Sequence, residues 1–318
     1  MTTHAGGRLG WIGAGRMGSV LAQRLLAAGH DVAVYNRTRA KSEPLSDLGA
    51  TLVDAPADLA DRDVVFTMVG GSQDFEGVVL GDAGLLSRPD AAPALLVDST
   101  TISVAASERV RVAAEARGTD VLAAPVSGNP KVAAAGRLTI AVSGPREAFE
   151  RARPYLEVLG PGVTYVGEGD RARLVKICHN LMLGIVAQTL AEITVLAEKG
   201  GVSRADFLAF LNDSVMGSTF TRYKTPAYVN LDFTPTFTPA LLLKDFDLGF
   251  EAADEMDVPM HVAGTARESV RALIEAGYTD VDFAALIELH ARASGLDLVA
   301  EDTPVSDGLA PAQPAGRA

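Results

Sequence analysis

The chain has 318 residues, a length that fits about two domains rather than one small module. Hydrophobic residues make up 48% and charged residues 21%, with 31 glycines and 16 prolines, which excludes a mainly disordered or collagen-like chain. Acidic residues outnumber basic ones 40 to 28 for a net charge of -12, so nucleic acid is excluded as an expected partner, while one local basic pocket for a phosphate remains compatible.

A single cysteine, Cys178, rules out an internal disulfide and a thiolate metal cluster. No uninterrupted apolar run reaches the length of a membrane span, and MTTHAGGRLGWIG passes from a short polar lead into the first strand without a signal-like apolar core. The expectation is a cytoplasmic protein with no membrane partner.

Residues 9–14 (LGWIGA) and 31–36 (DVAVYN) bracket the periodic segment Ser19–Leu26, with Gly29 as its stop, so the chain opens strand, helix, strand. Short apolar runs follow at 51–53, 64–69, 95–98, 121–123 and 138–142, separated by helix-like or turn-like segments such as 104–117 and 145–159. A mainly parallel α/β sheet over 8–165 is the economical arrangement. From Arg173 the pattern turns helical, at 173–199, 203–212, 239–255, 259–276 and 280–292. The segment 303–318 is rich in Pro, Ala and Gly and reads as a flexible tail.

The strongest local signal is Gly13-Ala14-Gly15-Arg16-Met17-Gly18, placed after a strand and at the opening of a helix. Gly13 allows the tight turn, Gly15 lets the backbone approach a pyrophosphate, and Gly18 lets helix and strand pack closely while the helix N-terminus faces phosphate. The fold class is therefore an α/β Rossmann-type N-terminal domain (1–168) with an all-α C-terminal domain (169–302) that begins with a long interdomain helix.

The second strand ends Tyr35-Asn36-Arg37-Thr38, where an acidic residue for a free ribose 2'-hydroxyl is missing. Asn36 and Thr38 offer donors and Arg37 can pair with a 2'-phosphate, which favours NADP over NAD; the alternative is a solvated Arg37 and a pocket that accepts either cofactor, and Arg39 and Lys41 could also reach phosphate. Met68, at the end of another strand, either lines the dinucleotide crevice or packs. Thr100, in Asp98-Ser99-Thr100-Thr101, either approaches the nicotinamide ribose or belongs to a helix cap. In Ala124-Pro125-Val126-Ser127-Gly128-Asn129, the Ser127 hydroxyl and the Gly128 N–H suit a carboxylate.

Lys176, His179 and Asn180 share one face of a helix, with Ile177 and Cys178 turned toward packing. A lysine on an otherwise apolar helix either snorkels to water or serves a cleft. In the catalytic reading Lys176 protonates the oxygen formed when hydride reaches a carbonyl and takes the proton back in oxidation, while Asn180 orients lysine and oxygen. His179 divides evenly between substrate contact and a satisfied histidine at the domain border. The five histidines show no ligand spacing beside carboxylates, so no metal is expected.

GWIGAGRMG, VYNRT, the DSTT loop, APVSG, the Lys176 helix and FTPALLLKDFDLGFEAADEMDVP at 237–259 together resemble the β-hydroxyacid dehydrogenase family, which includes 3-hydroxyisobutyrate dehydrogenases and the tartronate, glyoxylate and succinic semialdehyde reductases. The resemblance implies a small 3-hydroxy acid or semialdehyde as the carboxylate-bearing substrate, and a homodimer or homotetramer built through the helical domains. It implies Lys176 as the catalytic residue, Ser127, Gly128 and Asn180 at the substrate, and Lys244 with Asp245 beside the cofactor. Departures are Asn129 where the family often has a second glycine, His179 where it commonly has Asn, and Asp170 and Ala172 where glycines are usual. Lys-x-x-His-Asn is similar to the arrangement in 6-phosphogluconate dehydrogenases; Asn129 adds a donor or narrows the pocket. An imine reductase of the same superfamily and a non-catalytic NADP-binding protein are the alternatives.

Overall fold

The computed structural model describes residues 7–309, and the chain divides into two compact units between Lys176 and Ile177, against an expected border at 168/169. In the first unit β1 (Leu9–Ile12), β2 (Val32–Tyr35), β3 (Thr51–Leu52), β4 (Val64–Thr67), β5 (Leu95–Asp98) and β6 (Asp120–Ala123) are parallel, in the order β3-β2-β1-β4-β5-β6. β7 (Val126–Ser127) and β8 (Thr139–Ser143) add antiparallel pairs beyond β6, and β9 (Gly162–Gly167) lies parallel on β8. The connecting helices are α1 (Arg16–Ala27), α2 (Glu43–Ser46), α3 (Ser72–Leu80), α4 (Val104–Glu115), α5 (Pro130–Ala134) and α6 (Arg146–Leu159).

Leu9, Trp11 and Ile12 are fully buried, as are Val65 and Phe66 on the neighbouring strand. Helices cover both faces of such a sheet, so its central strands read as continuous apolar runs rather than as alternations. β1 sits between β2 and β4, so the chain order reverses there, and the carboxyl ends of β1 and β4 are where open sheets of this kind place their ligands. β9 was not foreseen: its residues are mostly half-buried, which leaves no two-residue alternation to detect.

The helical run comprises α7 (Arg171–Lys199), which starts in the first unit, then α8 (Arg204–Asp213), α9 (Thr219–Val229), α10 (Pro239–Glu255), α11 (His261–Glu275) and α12 (Leu286–Ala293). The expected helix over 280–292 is a 3-10 turn at Phe283–Ala285 followed by α12. α9 escaped the sequence pattern because Pro226 lies inside it and its composition is polar and β-branched, but Ser218 caps it and Ala227, Tyr228 and Val229 are buried. Leu181, Leu190, Leu242, Phe246, Val270 and Leu286 belong to the core of the second unit. At Gly184 a Cβ would stand 2.5 Å from the Phe246 ring, so α7 and α10 meet at a contact only glycine permits.

By length and composition α7 is capable of crossing a membrane, although its apolar run is interrupted; half of the qualifying window is buried inside the protein. Residues 303–309 form neither helix nor strand, yet Thr303 N donates to Asn230 Oδ1 at 3.1 Å, Asn230 Nδ2 donates back to Thr303 O at 2.9 Å, and Leu309 is buried. The rest of the expected tail, 310–318, lies outside the described residues.

Candidate active site

The glycine turn occupies the carboxyl end of β1. Gly13 has φ +104°, and a Cβ there would strike the Met68 carbonyl oxygen, so the residue is required for both dihedral and space. A Cβ on Gly18 would strike the Gly13 carbonyl oxygen, which keeps α1 close to the turn. Gly15 differs: a Cβ would meet nothing within 4 Å, and as N-cap of α1 it provides no side-chain cap. Arg16 begins the helix exposed and Met17 is half-buried. An uncapped helix N-terminus facing open space through a glycine fits a dinucleotide pyrophosphate.

Asn36 braces this turn from the end of β2. Its Oδ1 accepts from Ala14 N at 2.8 Å, and its Nδ2 donates to Thr38 O at 2.7 Å, so part of the donor capacity assigned to the ribose is spent on the local turn. Thr38 is exposed. The Arg37 side chain is 81% exposed and pairs with Asp74 Oδ1 of α3 at 2.9 Å. Asp74 was not anticipated; an acid in the first turn of the helix after β4 was the available signal.

Met68 is half-buried and presents its carbonyl to Gly13. Thr100 is buried, and its Oγ1 accepts from Val69 N at 3.1 Å. The cap of α4 is Ser103, which accepts from Ala106 N, so capping does not account for Thr100. Beyond β6, Ser127 is half-buried and Gly128 is exposed at φ +134°. Asn129 is buried; its Oδ1 accepts from Val132 N at 3.0 Å as the cap of α5, and its Nδ2 has no hydrogen-bond partner. The side chain is divided: its oxygen is committed to the cap of α5, and its amide nitrogen remains available as a donor.

Lys176 is half-buried on α7. One turn further, in the second unit, Asn180 is buried, donates Nδ2 to Asp245 Oδ2 at 2.6 Å, and holds Oδ1 at 2.9 Å from His179 Nδ1. Lys244 Nζ lies 3.8 Å from Asp245 Oδ1, so Asp245 joins Asn180 to Lys244. Ile177 is buried as expected from the helix pattern, but Cys178 is exposed rather than packed. The turn after Lys176 therefore directs its Asn toward α10 and its Cys outward.

A parallel sheet with a glycine turn at its reversal point and a helical unit carrying a fixed Asn on the lysine helix defines a nicotinamide-dependent oxidoreductase. Residues 8–167 match the NAD binding domain of 6-phosphogluconate dehydrogenase, and 170–290 match the NAD-binding domain of NADP-dependent 3-hydroxyisobutyrate dehydrogenase. The chain belongs to the 3-hydroxyisobutyrate dehydrogenase-like family of β-hydroxyacid dehydrogenases, and NADP binding is part of that assignment. It is 32% identical over 292 residues to the 3-hydroxyisobutyrate dehydrogenase of Pseudomonas aeruginosa, covering 89% of this chain and 98% of that one. Its fold superposes on the 3-hydroxyisobutyrate dehydrogenase of Salmonella typhimurium with TM-score 0.80 at 25% identity, covering 89% and 99% of the two chains. The Mycobacterium tuberculosis 3-hydroxyisobutyrate dehydrogenase, solved with L-serine, gives 0.77 at 29% identity with the same coverage.

Proposed function

We propose that the protein transfers a hydride reversibly between NADP and a small 3-hydroxy acid or its semialdehyde, with Lys176 as general acid and base. The observation that carries this reading is Lys176 one helical turn before a buried Asn180 whose amide is held by Asp245 and His179. The nicotinamide, when bound, supplies or accepts the hydride. In reduction Lys176 gives a proton to the carbonyl oxygen; in oxidation it removes the hydroxyl proton. Asn180 uses one amide hydrogen on Asp245 and has a second for the substrate oxygen.

Gly15, Arg16 and Met17 would hold the pyrophosphate with backbone N–H groups, Arg37 the 2'-phosphate, and Thr100 and Lys244 the nicotinamide half. Ser127, Gly128 and the unpartnered Nδ2 of Asn129 would hold the substrate carboxylate. A homodimer or homotetramer is supported by exposed Met182 and Leu196 on α7 and Phe210 on α8, apolar side chains whose exposure costs free energy in a lone chain.

The test is a panel of glyoxylate, succinic semialdehyde, tartronate semialdehyde and methylmalonate semialdehyde with NADPH or NADH, the reverse reactions, and cyclic imines for the imine reductase alternative. Turnover of an aldehyde acid, lost in Lys176→Ala while cofactor binding persists, is expected. Full kcat in Lys176→Ala would refute the assignment.

A further inference from the structure

We propose that Arg173 is a positioning residue for Lys176, locking the first turn of α7 to the carboxyl end of β5 through a buried ionic network. The inference rests on the catalytic reading of Lys176, three residues along the same helix. The Arg173 side chain is 2% exposed and that of Asp98 fully buried, with Nη1 2.9 Å from Asp98 Oδ2 and 3.1 Å from the Thr100 carbonyl oxygen. On its other side Nε donates to Ser107 Oγ at 2.8 Å and lies 3.2 Å from Asp170 Oδ1. Ser107 donates to Asp170 at 2.6 Å, and Arg111 Nη2 approaches the other Asp170 oxygen at 3.5 Å.

One guanidinium thus joins three elements: the strand end that carries Thr100, the first turn of α4, and the first turn of α7. Asp98 is itself fixed by Thr67 Oγ1 at 2.6 Å and Thr100 N at 3.2 Å, so the anchor on the sheet does not swing. The planar fork reaches both sides at once, which a lysine ammonium cannot do. Residues three apart lie on one side of a helix, so Arg173 controls the rotation of the turn from which Lys176 projects. Replacing a buried ion network with apolar groups is often neutral or better for stability, so fixing geometry is the stronger reason to hold two carboxylates and a guanidinium here.

The network also gives Asp170 a use. Its Oδ1 receives both Ser107 Oγ and Arg173 Nε.

The test compares Arg173→Met with the unmodified protein by two readouts. The first is the rate of reductive methylation of Lys176, measured by mass spectrometry with exposed Lys41 as internal standard. It needs no substrate, so it judges the positioning claim even if Lys176 proves not to be catalytic. A change of about threefold or more is expected, together with a fall in kcat of about tenfold or more and a cofactor KM within about threefold, because small misplacements at a reacting group cost rate rather than cofactor affinity. N-ethylguanidine should restore part of the kcat of Arg173→Ala and none of that of Lys176→Ala. If Arg173→Met does not fold, Ser107→Ala, which removes the hydroxyl bonded to both Arg173 and Asp170, and Asp170→Asn, which removes the charge facing Arg173 and Arg111, are read in the same way. A folded variant whose Lys176 is methylated at the unmodified rate would overturn the proposal whatever its kcat, whereas a changed methylation rate with kcat unchanged would leave the positioning standing and refute the catalytic role of Lys176.

Discussion

Gly15 and Gly13 are two residues apart, and alanine at each should produce opposite phenotypes. At Gly15 the backbone is extended (φ -74°, ψ -172°), a conformation open to alanine, and the added Cβ meets no atom within 4 Å. The folding cost is that of a poorer N-cap, about 1 kcal/mol or less. At Gly13 the φ of +104° imposes a left-handed penalty of roughly 1–2 kcal/mol, and the collision with the Met68 carbonyl adds about 1–3 kcal/mol of overpacking. Gly13→Ala should therefore lower stability by about 2–5 kcal/mol, a large share of a typical total of roughly 5–15 kcal/mol. Gly15→Ala should fold normally yet place a methyl group where the pyrophosphate meets the helix. Overpacking of about 1–3 kcal/mol there corresponds to a rise in the Kd for NADP of roughly fivefold to 150-fold. Thermal unfolding and NADPH fluorescence titration separate the two effects. Gly15→Ala with an unchanged Kd would show that the phosphates do not approach at this glycine.

Arg37→Ser should reduce the preference for NADPH over NADH, whereas Asp74→Asn should increase NADPH affinity by removing the carboxylate that competes for Arg37; initial rates at varied cofactor concentration and salt check both. Lys224 pairs with Asp282 in the second unit, and Asp282 also receives Thr236, Phe237 N and Ala284 N. Burial alone would raise the Asp282 carboxyl, but the Lys224 charge and these donors outweigh it and hold it below the usual carboxylate range. A depressed folded-state value means that its stabilisation is complete above the unfolded value of about 3.9 and is lost as pH falls through the folded one. Urea unfolding across pH 2–6, with pH steps chosen around the ~3.9 reference, should show this loss, and Asp282→Asn should cost about 3–5 kcal/mol at neutral pH by leaving Lys224 buried without its anion. Asn129→Ala should raise substrate KM and, through the lost cap of α5, cost roughly 0.5–2 kcal/mol of stability, read by steady-state kinetics and melting.

The glycine turn, the parallel strands and the change to helices at α7 were legible because each leaves a local trace: an apolar run, a residue with special backbone freedom, or a helical period. β9 and α9 left weaker traces, since half-burial and an internal proline erase the periodicity. Contacts between distant residues left none. Arg37 read as a cation for phosphate, and only the fold brings Asp74 to it from 37 residues away. Asn129 read as a pocket residue, and the fold divides it between a cap and an unpartnered amide. Asp170 read as a departure from the family pattern and Arg173 carried no reading of its own, and only the fold brings Ser107 to Asp170 from 63 residues away and to Arg173 from 66, with Asp98 on the other side of the guanidinium. The sequence by itself determined the two kinds of architecture, the dinucleotide turn and the lysine helix, because secondary-structure periodicity and glycine dihedrals are local properties. Tertiary structure alone decided which charges are neutralised, which amides are committed and what holds the lysine turn, because those depend on through-space distances that no spacing along the chain encodes.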